Sequence, residues 1–283
     1  MKIEACCKLN FTLEVFPKRA DGYHALRSVV VPITLSDTIS IEPADDISSD
    51  TGYGDSDLCV KAARALGVGC RICVEKRIPA GGGLGGGSAD AAAVLRALNE
   101  MKSLGHAPEE LAEIGASVGS DVPALVLAQS YREPIIMEGR GEKVSRLFGE
   151  RSPASVRLRI ALVNPGVFSS TAEVYSKCSP RLPVNDEILY NMRTALESGD
   201  PHRVAAALQN DLEAPAVALH PEIAAAKGAL AEAGAFGVAM TGSGSTVFGL
   251  VPDDFKSVPW CSGRTGVFDT LSLGSNPSGT TIR

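Results

Sequence analysis

Residues 78–93 read IPAGGGLGGGSADAAA. Six of the seven positions from Gly81 to Gly87 are glycine. The run lies between CRICVEKRI at 70–78, rich in β-branched residues, and DAAAVLRALNEMK at 90–102, rich in alanine and leucine. The first has the composition of a strand and the second that of a strong helix, so the glycines mark a strand-to-helix turn. So many glycines make the unfolded chain floppy, an entropic cost that a plain connector does not need. Something must therefore approach this backbone closely. A glycine turn that opens a helix leaves N–H groups unpaired at the positive end of the helix dipole, a ready site for phosphate oxygens.

Three other readings of the run are weaker. A flexible linker would not be set tightly between a regular strand and a strong helix. Gly81, Gly83 and Gly86 satisfy the dinucleotide fingerprint GxGxxG, but the acidic residue expected about 20 positions on should end a second strand, and SLGHAPEEL stands there at a helix start. The P-loop pattern fails because Gly87 is followed by Ser88 and Ala89 with no lysine.

Working outward, ACCKLNFTLEVF and ALRSVVVPITLSDTISIEP have strand character, and the polar stretch 45–57 reads as a loop. Residues 57–67 have helical spacing, with Asp57 placed to cap and Gly67 to end the segment. A further helix is expected over about 108–118, then a strand at RLRIALVNP, a linker dense in Pro and Ser to about 187, and helices over 186–198, 201–213 and 221–234. Strand-like segments follow at GVAMTGSGSTVFGLV and GVFDTLSLG, and SNPSGTTIR is expected to fray. Strands and helices that cluster rather than alternate favour an α+β fold.

At 283 residues, with 45% hydrophobic and 21% charged residues, the chain suits two lobes sharing a cleft. The formal charge of −6 argues against a general affinity for nucleic acid or anionic membrane. The start MKIEACCKLNF is not a secretory signal, and no window is apolar enough to span a bilayer, so a cytoplasmic protein is expected. Oligomeric state is not legible. Seven scattered cysteines do not form a disulfide framework. Cys70 and Cys73, three apart on a strand, face opposite sides and cannot easily share a metal or a disulfide.

The segment Pro79 to Ala89 closely resembles the phosphate loop of the GHMP kinases. KLNFTLEVFPKRADGYHALRSVV at 8–30, GSDVPALV at 119–126, EGRGE at 138–142, NPGVFSST at 164–171, NDLE at 210–213 and MTGSGSTVFG at 240–249 extend the resemblance along most of the chain. Their order, and RADGYH after KLN above all, is similar to that of the subfamily that phosphorylates a cytidine-diphosphate-linked methylerythritol in the non-mevalonate isoprenoid pathway. The resemblance implies a two-lobed α+β fold with a ribosomal protein S5 domain 2-like first lobe over 1–150 and an α/β sandwich second lobe over 151–283. It implies ATP and Mg²⁺, with the phosphates held along Pro79, Gly81, Gly82, Gly83, Leu84, Gly85, Gly86, Gly87 and Ser88, Ser88 lying near the β/γ oxygens or the metal.

By the same resemblance Asp121 is the catalytic carboxylate and Lys8 the lysine beside it. A carboxylate next to an alcohol can orient it and accept its proton, and a nearby ammonium keeps that carboxylate ionised. Read alone, Asp121 is as well a helix cap before Pro123, and Lys8 a solvated edge-strand residue. Tyr23 and His24 resemble residues that recognise a cytosine ring, Tyr23 by stacking and His24 by hydrogen bonds. Tyr175 is the candidate for the ring's opposite face, with a core tyrosine as the alternative. Asn10 and Thr171 are expected at the sugar-phosphate or erythritol portion, and TGSGSTVFG closes the site from the second lobe, with Gly242 and Gly244 allowing close approach.

The chain departs from the pattern in Asp57, where many relatives have Asn, in Ser120, where they have Ala, and in AQSYREPIIM at 128–137, which replaces a glycine-containing stretch. The first bears on the adenine side, and the last is expected to change a strand or turn. The rival functions are another kinase of the superfamily, acting on homoserine or mevalonate, and a nucleotide-binding module without catalysis. RADGYH argues against the first, since those substrates carry no base, and Lys8 with Asp121 argues against the second.

Overall fold

Two long strands carry the first lobe. β1 (Lys2–Lys18) and β2 (His24–Pro43) pair antiparallel along their length, with register shifts between Cys6 and Lys8, between Asn10 and Thr12 and between Val15 and Lys18. The structure is a computed structural model that describes residues 1–150, 157–182, 185–256 and 264–269. The expected fraying of the C-terminal residues, and the end of the last strand-like segment, lie outside these.

β3 (Ile47–Ser49) pairs parallel with β4 (Cys70–Glu75), so the polar stretch read as loop contributes a short strand. β4 pairs with the C-terminal half of β2, while β5 (Ile135–Gly139) pairs with the N-terminal half of β2 and with β6 (Lys143–Arg146). Cys70 is buried and Cys73 exposed, the opposite faces that their spacing predicts, and both are free thiols.

Four helices belong to this lobe. α1 (Leu58–Leu66) begins at Asp57, which accepts from the Cys59 amide, and ends at Gly67 in the left-handed conformation. α2 (Gly86–Met101) buries Leu95, Leu98 and the alanines Ala89, Ala91, Ala92 and Ala93, whose small side chains let it lie close to β1. α3 (Pro108–Gly115) ends three residues short of the expected helix. α4 (Val122–Tyr131) is absent from the sequence reading. It is apolar all round and buried from Val122 to Gln129, so it has no amphipathic period to betray it. AQSYREPIIM accordingly supplies the end of α4, a turn and most of β5.

In the second lobe β7 (Arg159–Asn164) lies in the Arg/Leu/Ile-rich segment, and β8 (Gln209–Asn210) leaves the lobe to pair parallel with β1 at Thr12 and Leu13. β9 (Gly237–Met240), β10 (Val247–Leu250) and β11 (Arg264–Asp269) join β7 in an antiparallel sheet of order β11-β7-β10-β9. α5 (Thr171–Ser176) interrupts the Pro/Ser-rich linker. α6 (Glu187–Ser198), α7 (Pro201–Ala206), α8 (Glu213–Leu219) and α9 (Glu222–Glu232) are the lobe's other helices among the described residues.

The helix expected over 201–213 is broken at β8 because tertiary hydrogen bonds compete with helical ones there. Asn210 Nδ2 donates to the carbonyls of Met240 (2.7 Å) and Gly242 (2.8 Å), and Asp211 accepts from the Val15 amide (3.0 Å). The lobes share apolar packing: Phe11 of β1 stacks on Phe248 of β10 at 5.6 Å, and the larger core cluster draws on both. No helix of the described residues is long and apolar enough to cross a membrane.

Asp57 is a point at which this fold can be probed. Burial works to raise its pKa, but the hydroxyls of Thr51 and Ser49 and the amides of Cys59 and Val60 outweigh it and hold the carboxyl below the ordinary range. Its contribution to stability is therefore present above the unfolded-state pKa of about 4 and is lost as pH falls through the lower folded value. Asp57→Ala should cost about 1 kcal/mol in urea unfolding at pH 7. The difference from wild type should shrink below about pH 4.

Candidate active site

A cavity of about 630 Å³ lies between the lobes, lined by the glycine loop, by Lys8 and Asn10 of β1, by Asp121, by Ser169 to Thr171 and Tyr175, and by Gly242 to Gly244. One end runs past Thr51, Tyr53, Ser56 and Asp57. The Asp57 departure thus falls on the cavity wall.

The glycine loop is locked from three sides. Gly81, Gly83 and Gly85 have φ of +68°, +76° and +70°, alternating with residues outside the left-handed region. Such alternation turns successive N–H groups toward one side, as in anion-binding nests. Between them Leu84 drops its side chain into the core, and its carbonyl accepts from the Lys8 amide (3.3 Å), so the loop is bonded to β1 at the catalytic candidate itself. Thr246 N–H donates to the Gly82 carbonyl (3.2 Å) from the second lobe. α2 then starts at Gly86 with no side-chain cap, leaving the first-turn amides of Gly86, Gly87 and Ser88 for a ligand.

At the loop's root, Asp37 accepts from the amides of Arg77 and Ile78 (2.8 Å for the latter), and Lys76 bridges Asp37 to Asp90 Oδ2 (2.8 Å for the Asp90 arm). Asp90 Oδ1 is buried without a hydrogen-bond partner among the described residues. Burial, opposed by Lys76 and reinforced by Asp37, pushes the Asp90 carboxyl up to about 7. Sequence reasoning missed this cluster. The lysine-arginine pair just before Ile78 was its one local signal.

Lys8 and Asp121 meet: Nζ lies 3.7 Å from Oδ2, with Lys8 almost fully buried and the Asp121 side chain 34% exposed to the cavity. Asp121 precedes α4 but makes no cap hydrogen bond, so its carboxylate is free for the cavity. Lys8 Nζ also donates to Asn10 Oδ1 at 2.6 Å. Gly85 closes on the pair, since a Cβ there would lie 3.2 Å from Lys8 Cε and 3.5 Å from Asp121 Oδ2. Asn10 is held by protein partners: Nδ2 donates to Ser28 Oγ (2.7 Å), and Oδ1 accepts from Thr241 Oγ1 (3.2 Å) besides Lys8. It lines the cavity, but its polar atoms are occupied in aiming Lys8.

Thr171, at the start of α5, shares a hydrogen bond of 2.8 Å with Ser243 Oγ. Tyr175 packs beside His24, ring centroids 6.0 Å apart, and burial together with the nearby Asp121 charge raises its hydroxyl pKa. His24 Nδ1 donates to the Phe16 carbonyl at 2.8 Å, which leaves Nε2 as an acceptor in the neutral ring. Tyr23 is set apart from these two. It is 61% exposed at the hairpin tip, and the Arg140 guanidinium lies 5.2 Å over its ring.

Of the second lobe's glycines, Gly242 meets the phosphate loop, a Cβ there lying 3.1 Å from the Gly83 carbonyl oxygen. Gly244 turns inward, where a Cβ would strike Met240 Sδ at 2.7 Å. Phe168, 75% exposed and against Gly81, is a further cavity residue within the NPGVFSST motif that was not singled out.

An anion cradle opening on a lysine-paired carboxylate is equipment for phosphoryl transfer to an alcohol, which needs positioning and charge neutralisation more than covalent chemistry. Comparison with known proteins leads to the same class. The family described as "GHMP kinases N terminal domain" matches residues 57–129, and "GHMP kinases C terminal" matches residues 192–258. The chain belongs to the GHMP kinases, ATP-dependent phosphotransferases.

Within that family two relatives and one solved structure point to a single kinase. A protein of Pelotomaculum thermopropionicum called 4-diphosphocytidyl-2-C-methyl-D-erythritol kinase is 42% identical over 262 residues, 88% of each chain. One of the same name from Symbiobacterium thermophilum is 38% identical over 271 residues, 89% of this chain and 91% of the relative. A crystal structure of 4-(cytidine 5'-diphospho)-2C-methyl-D-erythritol kinase superposes with a TM-score of 0.76 at 30% identity, covering 98% of this chain and all of the other.

The locked loop separates two glycine substitutions. In Gly83→Ala the new Cβ would stand 2.2 Å from the Thr241 carbonyl oxygen at a positive φ, whereas Gly87→Ala would meet only Leu58 Cδ1 at 3.8 Å. Gly83→Ala should destabilise by about 2 kcal/mol or more in thermal unfolding. Gly87→Ala should leave the melting temperature near wild type and weaken nucleotide binding by crowding the cradle.

Proposed function

We propose that the protein transfers the γ-phosphoryl group of ATP to the 2-hydroxyl of 4-diphosphocytidyl-2-C-methyl-D-erythritol, giving ADP and serving isoprenoid precursor synthesis. The observation that carries the chemistry is the Lys8–Asp121 pair lying against Gly85 of the phosphate loop. The substrate assignment is supported by the names and coverage of the relatives and by the acceptor nitrogen of His24 beside Tyr175.

In this mechanism the amides of Gly81 to Ser88 hold the nucleotide's phosphates. Asp121 Oδ orients the acceptor hydroxyl and accepts its proton as the new O–P bond forms. Lys8 keeps Asp121 ionised and offsets charge on the transferring group, and Asn10 holds Lys8 in place. His24 Nε2 accepts from the amino group of cytosine, Tyr23 and Tyr175 contribute ring surface, and Thr171 lies toward the erythritol portion.

Among the described residues no cluster of three His, Cys, Asp or Glu side chains could cage a metal. Mg²⁺ would instead be held through nucleotide phosphates with one or two protein oxygens, keeping much of its water. The Ser88 hydroxyl in the first turn of α2 is the protein oxygen on hand. When bound, Mg²⁺ neutralises charge on the β- and γ-phosphates. A cytoplasmic location goes with this metabolic role.

Asp121→Asn should lower turnover of the cytidine substrate by about 10²–10⁴-fold while ATP affinity and melting temperature stay near wild type. Lys8→Met should lower it by about 10²-fold or more. Coupled ADP-release kinetics and equilibrium ATP titration measure both, and near-normal turnover of Asp121→Asn would remove its proposed role.

A further inference from the structure

The motifs RADGYH at 19–24 and EGRGE at 138–142 lie far apart in sequence but meet in space. The turn after β5 requires both of its glycines. Gly139 has φ +75°, and a Cβ there would stand 2.6 Å from both Glu142 carboxylate oxygens. Gly141 has φ +114°, and its Cβ would stand 2.5 Å from the Ser120 carbonyl oxygen, so the turn is seated against the residue next to Asp121.

Glu142 folds back over this turn. Its Oε2 accepts from the Arg140 amide, and its Oε1 accepts from Arg19 Nη1 at 2.9 Å. Burial works to raise the Glu142 pKa, but these bonds outweigh it and hold the carboxyl below its usual range. Asp21, at the hairpin tip, lies 3.5 Å from Arg19 Nε and 3.9 Å from Arg140 Nε. The Arg140 guanidinium is thereby held over the Tyr23 ring, at 5.2 Å, while Tyr23 as a whole stays 61% exposed.

Exposed ion pairs of this sort contribute little one at a time. Here Arg19, Asp21, Glu142 and two glycines at positive φ together fix the turn that sets Arg140 over a single, largely exposed aromatic ring. A ring already fixed loses less rotamer freedom when a base stacks on it, and so binds that base more tightly.

Resting on the function proposed above, we infer that Arg140 is a positioning residue for Tyr23, and that the Gly139–Glu142 turn sets affinity for the cytidine end of the substrate. Arg140 itself touches neither the base nor the transferring phosphoryl group. Its backing of the ring is what the cytosine experiences.

Calorimetric titration of cytidine diphosphate into wild type, Arg140→Met, Tyr23→Leu and the double variant tests this. The expected results are that Arg140→Met weakens binding by about fivefold or more, and that Arg140→Lys recovers part of the loss. The KM for ATP should be unchanged, and Arg140→Met should add nothing in the Tyr23→Leu background. Equal affinity of Arg140→Met and wild type would overturn the inference while leaving the proposed function intact. An equal loss with and without Tyr23 would also overturn it, by making Arg140 a direct ligand contact. A wild type that binds no cytidine nucleotide would overturn the proposed function, and this inference with it.

Discussion

A strand buried on both faces cannot leave polar side chains without partners. β1 carries four of them in alternation, Lys8, Asn10, Thr12 and Glu14, all nearly inaccessible to solvent. Their partners come from across the molecule. Glu14 accepts from Arg27 Nε and Nη2, at 2.9 and 3.1 Å, and Arg27 Nη1 reaches on to Asp186 at the start of α6. Thr12 Oγ1 accepts from the Val29 amide, Asn10 bonds Ser28 and Thr241, and Lys8 pairs with Asp121. Satisfying this stripe brings the second lobe onto the first. The cleft is where the stripe is left partly open, at Lys8 and Asp121.

The second lobe is held by backbone as much as by side chains. Asn210 grips the carbonyls of Met240 and Gly242, Asp211 takes the Val15 amide and pairs with Arg181 through Nε at 3.0 Å, and Thr246 bonds Gly82. The NDLE segment thus holds the Thr241–Gly244 loop against β1, and that loop in turn presses on Gly83. Close approach of two peptide backbones leaves no room for a Cβ, which is the physical reason for glycine at 83 and 242. On the function proposed above, phosphate positioning and lobe packing would be one contact, so substitutions there would not affect nucleotide binding alone.

Much of this was legible before the structure. The strand-glycine-helix transition at 70–102 located the glycine loop because composition changes sharply on either side of it. The alternation of KLNFTLEV gave β1, although a pattern of polar and apolar residues reads as a half-solvated strand, and only tertiary contacts reveal that its polar face is buried. α4 was invisible because a helix apolar all round has no period, and the helix over 201–213 was overcalled because Asn210 and Asp211 spend their hydrogen bonds on distant partners. The Asp37–Lys76–Asp90 cluster was missed for the same reason: its members come from β2, the residue after β4 and α2, and no local pattern joins all three. RADGYH and EGRGE were legible as motifs, but their meeting was not.

On the function proposed above, this cleft brings ATP to a cytidine-bearing alcohol. The most direct measurement is ADP release from ATP–Mg²⁺ with 4-diphosphocytidyl-2-C-methyl-D-erythritol, run beside homoserine, mevalonate and galactose. Turnover is expected with the cytidine substrate alone. Turnover with one of the other acceptors, or with none of the four while ATP still binds, would contradict it.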